Sequence, residues 1–247
     1  RLPLSLVIEQ FDRIAPVFRR AYVEKTGYCG HLATEKGISD WVSEKLIEQG
    51  GDRQIRRFDM LDLGCGCGVT GERVRPYARR MIGVDVSKNM LQAIPDTPEG
   101  ELPLFDEIHQ EDMHEYLKRQ PHATADIVLC TGVMNYVGDL KELFQLVSPI
   151  LRVGGVFAFT IEQYHPEDKS SPYSWQPERG AFQHQLAYIK HLAKHVHLNE
   201  SRVDSIMLYR DVAGYYCMFT KAQAAAAPAA PAADAKPEAT SDAPKAE

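Results

Sequence analysis

Three glycines at alternate positions, Gly64, Gly66 and Gly68, sit in the stretch "LDLGCGCGVTGE" at residues 61–72. Asp62 stands two residues before the first of them. A second carboxylate, Asp85, ends the next apolar run, "RRMIGVDVS". Bare backbone at a strand end lets a ligand approach closely and frees N–H groups at the start of the following helix. A carboxylate closing the second strand can accept both hydroxyls of a ribose. Together these residues point to a ligand with a nucleoside part. Two metal-like patterns are weaker. Cys65 and Cys67 form a "CGC" pair, but no second Cys or His pair stands at a suitable spacing, and a tight loop wants small residues anyway. His191 and His195 are four apart on a helix, yet Leu192 stands where the Glu of H-E-x-x-H would be. No metal is expected.

The elements that must position these residues alternate from about residue 38 to about 220. "ISDWVSEKLIEQGG" reads as a helix with Ser39 as N-cap and Gly50–Gly51 as its stop. "FDMLDLG", "RRMIGVDVS", a shorter "FDEIHQED", "ADIVLC" and "GGVFAFTIE" read as strands one to five. "KNMLQAI" reads as a helix after strand two. "DLKELFQLVSPILR" is a helix with Leu140, Leu143, Phe144, Val147 and Leu151 on one face. Apolar strands separated by helices predict a parallel sheet buried on both faces. After strand five, "QYHPEDKSSPYSWQPERG" reads as a long polar loop of the kind that often carries function, and "AFQHQLAYIKHLAKHV" as a helix. "SIMLYRDVAGYYCMFTK" reads as a hairpin turning near Asp211 to Gly214, so one late strand runs antiparallel.

Composition sets the outer bounds. The 247 residues carry a formal charge of −6 with ordinary globular proportions. The densest basic cluster, "RQIRR" at 53–57, reads as a solvated loop, so direct nucleic-acid binding is not expected. No apolar run reaches the roughly 20 residues of a membrane span. Five cysteines without a disulfide spacing suggest a reducing compartment. The first residue is Arg1, the expectation for a trimmed chain or one that has lost a targeting peptide; an intracellular location, mitochondrial or cytoplasmic, follows. From Ala222 onward the composition collapses to Ala, Pro, Asp, Glu, Ser and Lys, which cannot fold alone. If that tail is ordered, a partner surface in a protein complex is the expected cause. The expected division is therefore an N-terminal helical extension (1–37), an α/β domain (38–221) and an Ala/Pro-rich tail (222–247).

Two ligands compete for the glycine turn. A dinucleotide site wants G-x-G-x-x-G, which fails counted from Gly64 because Val69 takes the third place, and succeeds counted from Gly66 through Gly71. Charge discriminates better. A pyrophosphate disfavours a carboxylate such as Asp62 in the same turn, whereas S-adenosylmethionine carries an ammonium, a sulfonium and no phosphate. At this point the chain resembles class I S-adenosylmethionine-dependent methyltransferases. "LDLGCGCGVTG" with "GVDVSKNML" resembles their first two motifs, and "EDM" (111–113) their adenine-touching segment. "ADIVLCTGVMNYVGDL", "LRVGGVFAFTIE" and the terminal hairpin resemble the later strands. Over roughly residues 8–221, "FDRIAPVFRRAYVEKTGY", "LFDEIHQEDMHEYL" and "NYVGDL" are most similar to a group often joined to tetratricopeptide repeats, although this chain has no repeat module.

The resemblance implies a Rossmann-like, doubly wound, seven-stranded and mostly parallel α/β sheet with an antiparallel C-terminal hairpin strand. It implies that Gly64, Cys65, Gly66 and Gly68 pass under the methionine portion of the cofactor, and that Asp62 orders the loop. Asp85, with Val86 beside it, holds the ribose. Met90, Asp112 and Met113 border the adenine, while Cys130 and Thr131 face the methyl. Met90 reads equally as a core residue of its helix. Tyr136, Glu162, Tyr164, His165 and His184 lie where acceptor residues are expected, and no base is assigned among them. "LCTGVMNY" lacks the Asn/Asp-Pro-Pro-aromatic motif of amide- and amino-nitrogen methylating enzymes, and Cys130 follows Leu129 rather than a proline. The related group usually has Asp where Gly132 stands, and Gly-Arg-Tyr-Ala-His where this chain reads "GAFQH" (180–184). Two functions remain open on these grounds. One is an active methyltransferase on a small-molecule or protein acceptor. The other is a methyltransferase-like structural or assembly subunit of a larger, mitochondrial complex, with reduced or no activity. A dehydrogenase is a distant third, against which Asp62 and the terminal hairpin argue.

Overall fold

The apolar runs assemble into one seven-stranded sheet in the computed structural model, which describes residues 2–48, 58–165 and 171–223. Its strands are β1 (Phe58–Leu63), β2 (Ala78–Asp85), β3 (Glu107–Gln110), β4 (Ala125–Cys130), β5 (Leu151–Glu162), β8 (Leu198–Tyr209) and β9 (Val212–Lys221). A separate two-stranded ladder joins β6 (Tyr173–Gln176) to β7 (Ala181–His184). The sheet order is β3-β2-β1-β4-β5-β9-β8. The first five strands are mutually parallel, and β9 runs antiparallel to both β5 and β8. This is the α/β architecture that the alternating apolar runs predict. The connection order reverses between β1 and β4, and a parallel sheet opens a crevice at the carboxyl ends of its strands at such a point.

Helices cover both faces because the central strands are apolar on both. On one face α2 (Gly30–Glu48) and α3 (Val69–Val74) bring Ile38, Trp41 and Val74 against Met60, Ile127 and Ala158. On the other, α5 (Met113–Lys118), α6 (Lys141–Ile150) and α7 (Leu186–His195) pack on Leu63, Val128, Phe157 and Phe159. Alternation along β5 sends Phe157 and Phe159 to one core and Val156 and Ala158 to the other. Phe144 of α6 meets both phenylalanines edge-on, at 5.4 and 5.7 Å, and Phe159 stacks on Phe219 of β9 at 5.9 Å. Each fully buried ring of this kind contributes about 2–3 kcal/mol from apolar burial.

Several boundaries differ from the sequence expectation. α2 starts at Gly30, two turns early, so the expected division at 37/38 falls inside it. Ser39 is therefore an interior residue rather than an N-cap, and its Oγ accepts a hydrogen bond from the Tyr77 hydroxyl at 3.0 Å. Leu151 and Arg152, read as helix, open β5. The polar loop after β5 contains the β6 strand, and "AFQH" is β7, so α7 begins only at Leu186. The last hairpin turns at Arg210–Asp211, just before the expected Asp211–Gly214, and β8 already begins at Leu198. The "RQIRR" cluster, the Gly50–Gly51 helix stop and the Ala/Pro-rich tail from residue 224 onward lie outside the described residues. Among the described residues no helix is long and apolar enough to cross a membrane.

Candidate active site

Leu4, Val7 and Phe11 recur at helical spacing on α1 (Leu4–Ile14), the first helix of the chain. Pro16 then forces a single 3-10 turn at Ala15–Val17, and a π-helical turn at Phe18–Glu24 rotates Phe18, Tyr22 and Val23 to the same side. These side chains roof a cavity at the carboxyl ends of β1, β2 and β4. The cavity holds about 1040 Å³ of space between atoms, its mouth included. The roof is held by polar ties. Asp12 Oδ1 accepts from the Ser87 hydroxyl (2.6 Å) and from Asn89 N (3.0 Å). Arg19 donates to the Cys67 carbonyl at 2.8 Å and to the Glu72 carboxylate. Leu2 N donates to the Tyr136 carbonyl at 3.2 Å. Sequence reading placed these N-terminal aromatics in a helical extension without a role; their signal was the 4–7–11 spacing.

The floor is the glycine turn. Gly64, Gly66 and Gly68 all have positive φ (+72°, +54° and +81°). Gly68 caps α3 in the left-handed conformation. The turn is fastened to the end of β2 by its own amides, since Gly64 N and Cys65 N both donate to the Val84 carbonyl. Gly66 N donates to Asp85 Oδ2 and Ser87 N to Asp85 Oδ1, both at 2.8 Å. Asp85 thus lies at the cavity wall with each oxygen already aligned by one backbone donor. Burial pushes its carboxyl up, and the amides of Ser87 and Gly66 draw it back. Cys65, Val86, Met90, Asp112 and Met113 line the same cavity. Asp112 caps α5 by accepting from His114 N at 3.0 Å. Met90 is 2% exposed and approaches the Gly66 backbone.

Two expected cofactor residues sit behind this lining. Cys130 is fully buried in the sheet, while its neighbours Thr131 and Gly132 line the cavity. Asp62, 1% exposed, lies within β1 with Oδ2 lacking a hydrogen-bond partner. Burial, with the Asp85 charge second, pushes its carboxyl to about 7. A carboxyl whose folded pKa exceeds its unfolded value of 3.8 stabilises the fold fully below 3.8 and loses that contribution as pH rises through 7. Asp62→Asn removes this titration. Its stability relative to the parent is therefore expected to rise by ~2–4 kcal/mol between pH 4 and pH 8 and to level off above that. Denaturant midpoints of both proteins across this range would show it; a pH-independent difference would contradict the assignment.

The acceptor-side residues do not form one cluster. Tyr136 lines the cavity and meets Phe11 edge-on at 5.2 Å. His165 is exposed. Tyr164 joins the β7 end through its N–H to the His184 carbonyl. His184 is fully buried, its Nε2 facing the carbonyls of Val137 (2.9 Å) and Gly138 (3.0 Å). That geometry makes Nε2 the protonated nitrogen of a neutral ring. Burial lowers its pKa to about 4 although both carbonyls favour the charged form. Such a ring anchors β7 to the β4 end. Glu162 is 2% exposed and pairs with Arg179 at 2.9 Å. Two of the positions that differ from the group this chain resembles, Gly132 and Ala181, are at cavity walls. Gly132 (φ +75°) lies where a Cβ would come within 2.7 Å of the Tyr28 hydroxyl, and Ala181 lies beside Glu162 and Arg179. Among the described residues no three His, Cys, Asp or Glu side chains are grouped to hold a metal.

The turn, the strand-end carboxylate and the β1/β4 crevice coincide with a family match. Residues 61–157 match the family described as "Methyltransferase domain". This stretch is similar to methyltransferase domains. The Saccharomyces cerevisiae "Probable S-adenosylmethionine-dependent methyltransferase CRG1" is 34% identical over 104 residues, 42% of this chain and 35% of that protein. The Bacillus subtilis "Putative methyltransferase YqeM" is 24% identical over 156 residues, 57% and 59% of the two chains. The chain thus spans only about a third to three fifths of the length of these relatives. Around the domain, the fold is similar to magnesium protoporphyrin IX methyltransferase from Synechocystis PCC 6803 with bound S-adenosylhomocysteine. The TM-score is 0.65 at 14% identity, covering 88% of this chain and 99% of that one. A Haloferax volcanii putative methyltransferase, solved in complex with the Trm112 methyltransferase activator, aligns with a TM-score of 0.56 at 18% identity, over 86% and 98% of the chains.

Proposed function

We propose that the chain is an S-adenosylmethionine-dependent methyltransferase acting on a small-molecule or protein acceptor. The cofactor is S-adenosylmethionine. The observation that carries the reading is Asp85, a half-buried carboxylate at the cavity wall held by Gly66 N and Ser87 N beside three glycines whose missing side chains keep the turn open. The residues present fit that cofactor. Each Asp85 oxygen keeps lone-pair capacity for a ribose hydroxyl beyond its single backbone donor. Gly64 and Gly66 leave the backbone bare for the methionine portion, and Met90, Asp112 and Met113 would border the adenine. Asp62 behind the turn supplies negative potential to a cationic ligand. Cys130, expected to face the methyl, is set back in the sheet, with Thr131 and Gly132 lining the cavity in front of it.

When bound, the cofactor supplies a methyl on a sulfonium, already activated for in-line displacement. What remains for the chain is to position the acceptor and exclude water. The N-terminal roof of Leu4, Phe11, Phe18 and Tyr22 performs the exclusion. Burial pushes the phenols of Tyr22, Tyr28 and Tyr136 upward, so they stay protonated and act as walls and hydrogen-bond donors rather than as bases.

The finer parts of the reading rest on sequence. Membership of the tetratricopeptide-associated group is supported by "FDRIAPVFRRAYVEKTGY" and "NYVGDL". The division into an extension (1–37), a catalytic domain (38–221) and a tail (222–247) is kept as a proposal, the extension acting as the roof. Five free cysteines fit a reducing compartment, mitochondrial or cytoplasmic. The assembly-subunit reading rests on Gly132, Ala181 and a tail outside the described residues; the open donor cavity speaks for turnover instead. Calorimetric titration with S-adenosylmethionine and S-adenosylhomocysteine tests the proposal. Micromolar binding of both is expected, and failure of both to bind would sink it.

A further inference from the structure

The ionisable groups of the donor cavity are divided between its two halves. Its carboxylates, Asp85, Glu111 and Asp112, stand at the ends of β2 and β3, on the ribose and adenine side. The other half is formed by the end of β4 and by the roof. It presents the rings of Phe18, Tyr22, Tyr28 and Tyr136 beside Thr131 and Gly132. Burial pushes the phenols of these tyrosines upward, so none of them takes up a proton at neutral pH. The Thr131 hydroxyl is engaged with that of Thr34 in α2 at 3.0 Å, and Gly132 N donates to the Thr160 hydroxyl oxygen at 2.9 Å. The neighbouring candidates for a base are tied down. Glu162 is held by the side chains of Arg179 and Gln183, and the protonated Nε2 of His184 faces two carbonyls. The wall that faces the methyl in the proposed reading is therefore built of rings and of groups that keep their protons.

Such a wall sorts acceptors by their protons and their charge. An alcohol, a thiol or an amide sheds a proton on methylation and needs a base to take it. An alkylammonium must shed one before it can attack, and it meets the like charge of the sulfonium. A neutral aromatic nitrogen attacks unaided, but it carries the positive charge over into the product. A carboxylate differs on each count. It is ionised at neutral pH without help, and the transfer cancels its charge, which a cavity walled by rings favours. We propose that the methyl acceptor is a carboxylate on an apolar body, seated among the rings at the end of β4 with the cofactor's sulfonium as its counter-charge. One carboxylate oxygen forms a bond to the methyl carbon; the carbon–sulfur bond breaks and its electron pair goes to sulfur. The products are a neutral methyl ester and a neutral thioether, and no proton is released. The inference rests on the methyltransferase reading and adds a condition to it. A carboxylate taken out of water needs a cation beside it, so the acceptor binds to the donor-loaded protein and not to the spent one.

The test uses the intact protein saturated with one of two unreactive ligands. Sinefungin has an ammonium where the cofactor has its sulfonium; S-adenosylhomocysteine is neutral there. Benzoate, benzyl alcohol and aniline are titrated into each complex by ligand-observed NMR at neutral pH and physiological ionic strength. Benzoate is expected to bind the sinefungin complex at least about five-fold more tightly than the S-adenosylhomocysteine complex, while the two neutral probes differ by less than about two-fold. Interligand Overhauser effects between benzoate and sinefungin are expected to place the two side by side. No benzoate binding to the sinefungin complex, equal binding to both complexes, benzyl alcohol or aniline bound more tightly there than benzoate, or no contact between benzoate and sinefungin would each overturn the assignment. Failure of both sinefungin and S-adenosylhomocysteine to bind is a different result: it sinks the methyltransferase reading, and this inference with it.

Discussion

Asp85→Ala is expected to weaken S-adenosylhomocysteine binding by at least about 100-fold, or roughly 3 kcal/mol, because two charge-assisted hydrogen bonds to the ribose are lost together. The wild-type carboxylate is positioned by Gly66 N and Ser87 N, so no reorganisation is needed when the ligand arrives. The alanine variant also releases Gly66 N, at the centre of the turn. Stability should change little, because burial already disfavours the charged carboxylate and water in the cavity can reach the freed amides. Asp85→Asn keeps one acceptor and is expected to fall between the two. Calorimetry on the three proteins, with melting temperatures alongside, separates lost affinity from lost fold. Alanine binding within ten-fold of the parent would remove Asp85 from the ribose site.

Gly64→Ala is expected to cost about 2–4 kcal/mol of stability, from left-handed backbone strain plus overpacking. Gly64 has φ +72°, and a Cβ built there would stand 2.3 Å from Val133 Cγ2, a side chain that itself lines the cavity. Relief requires the Val133 side chain, the β1 turn or the segment after β4 to shift, which disturbs the cavity wall. Cofactor affinity should fall with stability. Gly100 offers the control. It also has positive φ (+84°), but nothing lies within 4 Å of its Cβ position. Gly100→Ala should therefore show backbone strain alone, about 1 kcal/mol, with binding unchanged. Equal effects at the two positions, read by denaturant unfolding, would show that crowding at Val133 is immaterial.

The donor side could be read from sequence because it is local. A strand, a glycine turn and the next strand end fall within residues 58–87, and each part has its own pattern. The buried strands were equally plain, since a parallel sheet covered on both faces writes continuous apolar runs. What was missed depends on remote partners. The start of α2 hides in "GHLATEKG", where two glycines weaken the helical pattern; Gly37 is there because a Cβ would stand 2.2 Å from the Tyr216 hydroxyl oxygen of β9. β7 is a four-residue strand paired with β6, inside what read as a polar loop, and bridged at His184 to Gln163. A second cavity gathers Lys25, Glu162 and Arg210 from three stretches that no spacing rule connects. His184 matched an acceptor position by type, yet two backbone carbonyls at its Nε2 give it a fastening role that only the packed structure displays.

The roof over the donor cavity is tied to the parts that grip the cofactor. Asp12 holds Ser87 and Asn89, directly after Asp85, and Arg19 holds the carbonyl of Cys67 within the glycine turn. On the proposed function, parting of these ties would widen the way out for spent cofactor. If the chain acts as proposed, the dwell of its product would follow how often the first turns of the chain let go, and salt that weakens the exposed Arg19–Glu72 ion pair would shorten it.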